Sequence, residues 1–434
     1  MCPARYLQRL VCGGLLLFLL AVPPMSIAKV DVVREESGRW LLQRDGHPLV
    51  IRGVGGKTRL ELAAAIGATT LRTWGAEDLD DIVDGKPLAD RAHELGLSIV
   101  AGLWLEHERR GFDYSDPAQL QAQREKVLAT VRRHRSHPAI IAWGLGNEME
   151  GPDSPAGHEA VWREVETLAR IVKTEDPDRP IVTTIAGAAR AKIQALRQFC
   201  PSVDILGLNL YGGAPMAPIQ LDEAGWDRPF MLTEYGPRGP WEVVSTPWGA
   251  PIEPDTDGKV ASYLAAYRMA VADPRGRCVG TFAFVWGQKQ EATATWFGMF
   301  LRTGEKTPMV DIMAMAFTGR WPANRSPRTS PLRPVFANDR VRPGAEYQAE
   351  ITATDAENDP LTYEWIVQSE STDRRIGGDR ETAPAEHPDC IVRSEGPRAV
   401  VRMPAAPGAY RLFVYVRDHN GGGSSENTAF FVQP

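Results

Sequence analysis

Cysteine is scarce in this chain. Five occur in 434 residues, and two of them, Cys2 and Cys12, fall within the first twelve positions. The other three, Cys200, Cys278 and Cys390, are odd in number and widely spaced, which excludes a disulfide framework. Cys200 and Cys278 are expected as free buried thiols, a pairing between them being the other reading. A basic stripe is also missing. Lys and Arg number 49 against 55 Asp and Glu, with no cationic cluster interleaved with aromatics, so nucleic acid is not an expected partner. A phosphate loop is missing too. "IRGVGGKT" approaches one, but the pattern G-x-x-x-x-G-K-T requires glycine where Ile51 stands. His134 and His137 have a spacing that metals use but no evident carboxylate beside them, so no metal and no cofactor is expected.

Only one long apolar run is present, and it lies at the N-terminus. Arg5 and Arg9 precede Leu15 to Val22, and Ser26-Ile27-Ala28 places small residues at −3 and −1 of a cleavage site. This is the layout of a secretory signal peptide spanning residues 1–28. Its apolar core is too short to cross a bilayer. Cleavage after Ala28 removes two arginines and takes the net charge from −6 to about −8. The mature protein is expected to be exported, periplasmic or extracellular, with no remaining membrane span.

From Leu49 onward the chain alternates. Apolar runs start near Leu49, Thr69, Leu97, Ala139, Ile181, Val203, Phe230 and Val279. Segments of helical spacing separate them, among them "DDIVDGKPLADRAHELG" and "EAVWREVETLARIVKTE". Two short strands around Ser37-Gly38 precede this pattern, and the stretch from Gly212 to Phe230 is its least regular connection. Eight strands with mostly helical connections predict a (β/α)8 TIM barrel over 29–321. Residues 322–334, "PANRSPRTSPLRP", have a linker composition. Beyond them, two-residue alternation broken by Asp, Asn and Gly predicts a small all-β sandwich over 335–434. "DAENDPLTYEW" and "YRLFVYVRDHNGG" resemble cadherin-like and polycystic-kidney-type immunoglobulin-like modules. Asp355, Glu357 and Asp359 read as solvated turn residues, calcium binding being the alternative that this resemblance implies.

In such a barrel, functional groups gather where strands turn from apolar to polar at their carboxyl ends. Strand 4 ends in Asn147-Glu148 and strand 7 in Glu234-Tyr235. Strand 2 supplies Arg72 and Trp74; strand 3 supplies Trp104, Glu106 and His107. Strand 6 supplies Asn209 and Tyr211, and strand 8 supplies Trp286 and Gln288. Two glutamates across a tryptophan-lined mouth suit glycosidic bond cleavage, which needs one carboxylic acid and one carboxylate. Indole faces match the C–H faces of sugars, and Trp241 and Trp248 are placed to form cleft walls.

"WGLGNE" and "LTEYG", whose glutamates are 86 residues apart, resemble the two catalytic signatures of glycoside hydrolase clan A. Within it, "PLVIRGVGG" and "AWGLGNE" are similar to the family 2 barrel, and secreted β-glucanosyltransferases share a similar "GNE" and "EYG". The resemblance covers roughly residues 45 to 318. It implies Glu148 as acid/base, Glu234 as nucleophile, and Asn147 on the sugar 2-hydroxyl. It also implies Arg72 and Tyr211 as partners of the nucleophile, and Trp286 as the floor of the subsite. Trp74, Trp104, His107 and Trp241 complete the expected substrate site. Family 2 normally carries sandwich domains before its barrel, whereas here barely 20 residues separate the expected signal peptide from the first strand, so substrate preference does not transfer. The expectation is a retaining β-glycoside hydrolase or transglycosylase on a β-linked glucan, with Trp241, Trp248 and Trp296 open to either outcome. A catalytically inactive carbohydrate-binding barrel is the alternative.

Overall fold

A computed structural model describes residues 29–150, 156–375 and 378–433; the expected leader lies outside them. Eight strands run in parallel: β1 (Arg52–Gly55), β2 (Thr70–Arg72), β3 (Ser98–Leu103), β4 (Ile140–Asn147), β5 (Ile181–Ala186), β6 (Ile205–Asn209), β7 (Phe230–Tyr235) and β8 (Cys278–Ala283). Each pairs with its sequence neighbour, and β8 closes on β1 through Thr281–Arg52 and Ala283–Val54, giving a complete barrel. The strands are buried almost throughout because helices cover the outer face, which is why they read as continuous apolar runs.

Helices fill the connections: α1 (Leu60–Ala65), α2 (Leu88–Glu94), α3 (Pro117–His134), α4 (Glu159–Glu175), α5 (Arg190–Phe199), α6 (Ala217–Glu223), α7 (Thr256–Val271) and α8 (Pro308–Thr318). Helix α4 shows the cause plainly. Val161, Trp162, Val165, Leu168, Ala169 and Val172 fall on one face and are all buried against the barrel. Helix α3 begins where the Asp116 carboxylate accepts the N–H of Ala118 at 2.8 Å, with Pro117 in the first turn. The segment 80–96 differs from its helical expectation, since only Leu88–Glu94 is helical. Before it, Ile82–Val83 and Lys86–Pro87 form a hairpin around Asp84-Gly85, both at positive φ. Asp-Gly is the preferred pair for that two-residue turn, and it prevails over the helical spacing.

The two strands around Ser37-Gly38, Val30–Arg34 and Trp40–Arg44, are joined by His47–Leu49 in a small antiparallel sheet. Val30 and Leu42 from this sheet pack with Ile51, Val100, Ile141, Met231 and Phe282 of the barrel interior. The sheet therefore stoppers the amino-terminal end and leaves the carboxyl-terminal mouth open. The floor is clamped by Arg277, 1% exposed, which donates to Asp273, Asp222 and the carbonyls of Trp226 and Pro218 at 2.7 to 3.0 Å. Arg277→Leu would strand the fully buried Asp273 carboxylate. Urea unfolding is expected to show a loss of about 3 to 5 kcal/mol, and a change below about 1 kcal/mol would reject the clamp.

The C-terminal unit is all β. A four-stranded sheet runs in the order Arg340–Val341, Gly423–Val432, Gly408–Arg417, Thr362–Ser369, facing a three-stranded sheet of Glu346–Glu350, Arg398–Arg402 and Ile391–Glu395. Trp365, Val367, Val401, Leu412, Val414 and Phe430 fill the space between them. The segment 322–334 takes a fixed course. The Ser326 N–H meets the Asp311 carboxylate at 2.6 Å, Arg328–Thr329 pairs with Ala353–Thr354, and Leu332 enters the sandwich core. The unit also grips the barrel, through Leu301 packed on Phe413 and Tyr415 and through Arg411 donating to the Pro251 carbonyl at 2.9 Å.

Candidate active site

The strand ends converge on a cleft of about 580 Å³ at the open mouth, within the range of small-molecule sites. Asn147 closes β4 and Glu148 follows it at φ +53°, a left-handed conformation that costs a non-glycine residue on the order of 1 to 2 kcal/mol. Glu234 lies within β7, beside Asn209 of β6 in the strand register. Three donors hold its carboxylate. Arg72 and the Trp74 indole each reach Oε1 at 2.8 Å, and the Tyr211 hydroxyl reaches Oε2 at 2.8 Å. Arg72 is 4% exposed and lies beneath the cleft, where its guanidinium also donates to Asn147 Oδ1 at 2.7 Å. Charge-assisted hydrogen bonds of this kind are shorter and stronger than neutral ones, and they fix the carboxylate in place.

Glu148 is placed differently. Among the described residues it takes one donor, the Asn209 amide, at 2.7 Å on Oε1. Burial, and after it the negative charge of Glu234, push its carboxyl up to about 7, while Asn209 and Arg72 pull the other way. The two carboxyl groups thus stand in different surroundings at one mouth, Glu234 held by three donors and Glu148 buried with its carboxyl raised. Asn147 Oδ1 accepts from both Arg72 and Asn209, which fixes the side-chain amide and turns its N–H groups away from these donors.

The cleft surface includes Trp74, Trp104, Asn147, Glu148, Tyr211, Glu234 and Trp241. Trp241 is 62% exposed and stands edge-on to Tyr211 at 5.7 Å, a free indole face at the rim. Trp286 is displaced from its expected place and does not floor the cleft. Its indole donates inward to the Thr58 carbonyl at 2.7 Å and packs edge-on to Phe300, and Phe284 and Val285 line the cleft instead. The Trp286 backbone passes so close to Gly56, at φ +148°, that a Cβ there would sit 2.4 Å from its oxygen. His107 is also outside the cleft. It is 2% exposed, backs the Trp104 ring at 5.2 Å and shares a 2.6 Å contact with Arg109. Burial, then Arg109 and Arg110, take it down to about 4, so it is neutral. Trp248 packs on Phe431 of the C-terminal unit, and Trp296 is buried with its indole on the Arg238 carbonyl; neither forms a cleft wall. Glu106 points away, toward Lys126 at 4.0 Å.

Asn209, placed by sequence at the polar end of strand 6 but given no role there, donates its amide to both Asn147 and Glu148. Sequence reasoning gave no signal for Lys289 and Glu291 after β8, or for Arg375 and Asp379 from the C-terminal unit. Cys200, Cys278 and Cys390 are free thiols. Of the acidic turn, Asp355 and Asp359 approach Asp418 with oxygens within 4.8 Å of one another, while Glu357 pairs with Arg325 at 3.0 Å.

Comparison with known proteins bears on the same segment. Residues 97–238, which carry Asn147, Glu148 and Glu234, match the family model "Glycosyl hydrolases family 2, TIM barrel domain". Over 228 residues the chain is 42% identical to a β-galactosidase of Enterobacter cloacae, an alignment covering 46% of this chain and 20% of that protein. Over 231 residues it is 26% identical to a β-galactosidase of Leuconostoc mesenteroides subsp. mesenteroides, covering 48% and 20%. The chain thus spans about a fifth of the length of these relatives. Bacteroides uniformis β-glucuronidase 2, solved with a cyclophellitol-6-carboxylate aziridine covalently bound, superposes with a TM-score of 0.50 at 15% identity, over 94% of this chain and 48% of that one. A Bifidobacterium dentium β-glucuronidase gives 0.50 at 15% identity, over 67% and 49%. At these identities the structural likeness concerns the fold alone. By sequence, the segment that holds both glutamates is similar to the TIM barrel domain of family 2 glycosyl hydrolases.

Proposed function

We propose that this chain is a retaining β-glycoside hydrolase. Glu234 attacks the anomeric carbon and forms a carbon–oxygen bond as the glycosidic bond breaks. Glu148 passes its proton to the departing oxygen. Water then attacks the glycosyl-enzyme, Glu148 takes a proton from it, and the sugar leaves with its anomeric configuration retained. A sugar hydroxyl in place of water gives transglycosylation by the same route, with the exposed Trp241 indole as the surface on which an acceptor would rest. The observation that carries this reading is the contrast at one mouth between Glu234, held by three donors, and Glu148, held near neutrality by burial and by Glu234 itself.

The substrate is read as a β-linked glucan or related oligosaccharide, and the names of the β-galactosidase relatives add β-galactosides to that range. Proton NMR of the first-formed product from a 4-nitrophenyl β-glycoside tests the mechanism. The β anomer is expected before mutarotation, which corresponds to carboxyl groups about 5 to 5.5 Å apart. An initial α anomer would show inversion and reject it.

A further inference from the structure

The barrel does not build its cleft alone. Arg375, Gly378 and Asp379 line it beside Trp104, Arg110 and Lys289, and they belong to the connection between strands Thr362–Ser369 and Ile391–Glu395 of the C-terminal unit. Two anchors hold the described residues of this connection at the mouth. The Asp379 carboxylate pairs with Arg110, which lies beyond β3. Glu381, 4% exposed, accepts the backbone N–H of Ala292, beyond β8, at 2.7 Å and that of Arg375 at 3.2 Å. Between those anchors lie β1 and β2.

Glu148 stands at the end of β4, next to the Arg110 anchor beyond β3 and diametrically opposite β8, which carries the Glu381 anchor. A general acid must adjoin the departing oxygen. The departing group therefore extends toward β4, and the sugar that stays on Glu234 extends toward β8 and β1, where the Glu381 end of the C-terminal segment is anchored.

The charges on this wall are balanced. Arg110 pairs with Asp379, Lys289 with Glu291 at 2.5 Å, and Arg375 with Asp373 at 2.5 Å. Among the residues lining the cleft, three cations face five carboxyl groups, one of them the Glu148 acid. A carboxylate-bearing sugar entering here would need a cation not already neutralised by a neighbour. A neutral sugar needs only alternating donors and acceptors, which these pairs present. We infer that residues 373–375 and 378–381 of the C-terminal unit form the wall of the subsite for the retained sugar and select a neutral sugar through its hydroxyl groups. This rests on the hydrolase reading above.

The test compares 4-nitrophenyl β-D-galactoside, β-D-glucoside and β-D-glucuronide on the full chain and on Asp379→Asn. Wild type is expected to prefer a neutral glycoside over the glucuronide. Asp379→Asn frees the Arg110 cation, so the ratio of kcat/KM for the glucuronide to that for the neutral glycoside should rise about tenfold, the scale of one charge-assisted contact. Arg375→Ala, at an exposed position, is the second variant. It is expected to raise KM for the neutral glycoside several-fold with an unchanged melting temperature. A wild-type preference for glucuronide, or unchanged ratios and KM in both variants, would overturn the inference while leaving the hydrolase reading intact. Hydrolysis of none of the three by wild type, with no covalent adduct from any fluorinated glycoside, would instead remove the reading on which it stands.

Discussion

Replacing Glu234 by glutamine is expected to lower kcat/KM by about 10⁴-fold or more while leaving the fold intact, because it removes the atom proposed to form the covalent intermediate. The size follows from the surroundings. Arg72, Trp74 and Tyr211 all direct hydrogen-bond donors at this carboxylate. A neutral amide offers one oxygen and no charge to them, so neither nucleophilicity nor stabilisation of the oxocarbenium-like transition state survives. Glu234→Asp keeps the charge but withdraws the oxygen by one methylene, and a loss of similar order is expected. Steady-state kinetics on a purified variant with unchanged circular dichroism measures this. A loss below about tenfold would assign the nucleophile elsewhere.

Glu148→Gln is expected to behave differently, and the difference identifies its role. General acid catalysis contributes about 10² to 10⁴-fold where the leaving group needs a proton. For 4-methoxyphenyl or oligosaccharide leaving groups the loss should fall in that range. For 2,4-dinitrophenyl glycosides, whose leaving group departs as an anion, bond cleavage should be nearly unaffected and the slowed step becomes hydrolysis of the glycosyl-enzyme. The pH profile gives a second readout. Glu148 must be protonated to act, and burial and the charge of Glu234 push it up to about 7. The wild-type kcat/KM should therefore hold below that value and fall as pH rises through about 7. Glu148→Gln should lose this basic limb. A basic limb that persists in the variant would assign it to another group.

Much of the barrel was legible because its physics is local. Strands such as β3, β4 and β7 are short, mostly apolar runs buried on both faces, and helix α4 repeats its apolar face with helical spacing. That Glu148 and Glu234 meet at one mouth was legible from their contexts, "WGLGNE" and "LTEYG", at the ends of two barrel strands, since a glutamate at a single strand end is ordinarily a solvated loop residue. What was not legible depends on backbone direction beyond the strand. At the end of β8, Phe284 and Val285 face the cleft and Trp286 turns inward to Thr58. No periodicity rule fixes side-chain direction once the strand has ended at Ala283. His107 failed for a related reason, since it directly precedes a short helical turn that buries its ring behind Trp104. The hairpin at Asp84-Gly85 was readable from its turn pair but was obscured by apolar residues at helical spacing around it. Arg375 and Asp379 had no signal at all. They reach the cleft only because the sandwich is fixed against the barrel, through Arg411, Leu301 and the packed segment 322–334, and tertiary placement of that kind leaves no mark on local sequence.

The central claim is that a covalent bond forms between Glu234 and the sugar. Mass spectrometry of the protein after incubation with 2-deoxy-2-fluoro-β-D-glucosyl and β-D-galactosyl fluorides tests it most directly, because these reagents form the intermediate faster than it hydrolyses. The account predicts a mass gain of one fluorosugar from at least one of them, mapping by peptide digestion to Glu234 and absent from Glu234→Gln. An adduct on Glu148 or on any other residue, or one that persists in Glu234→Gln, would contradict it.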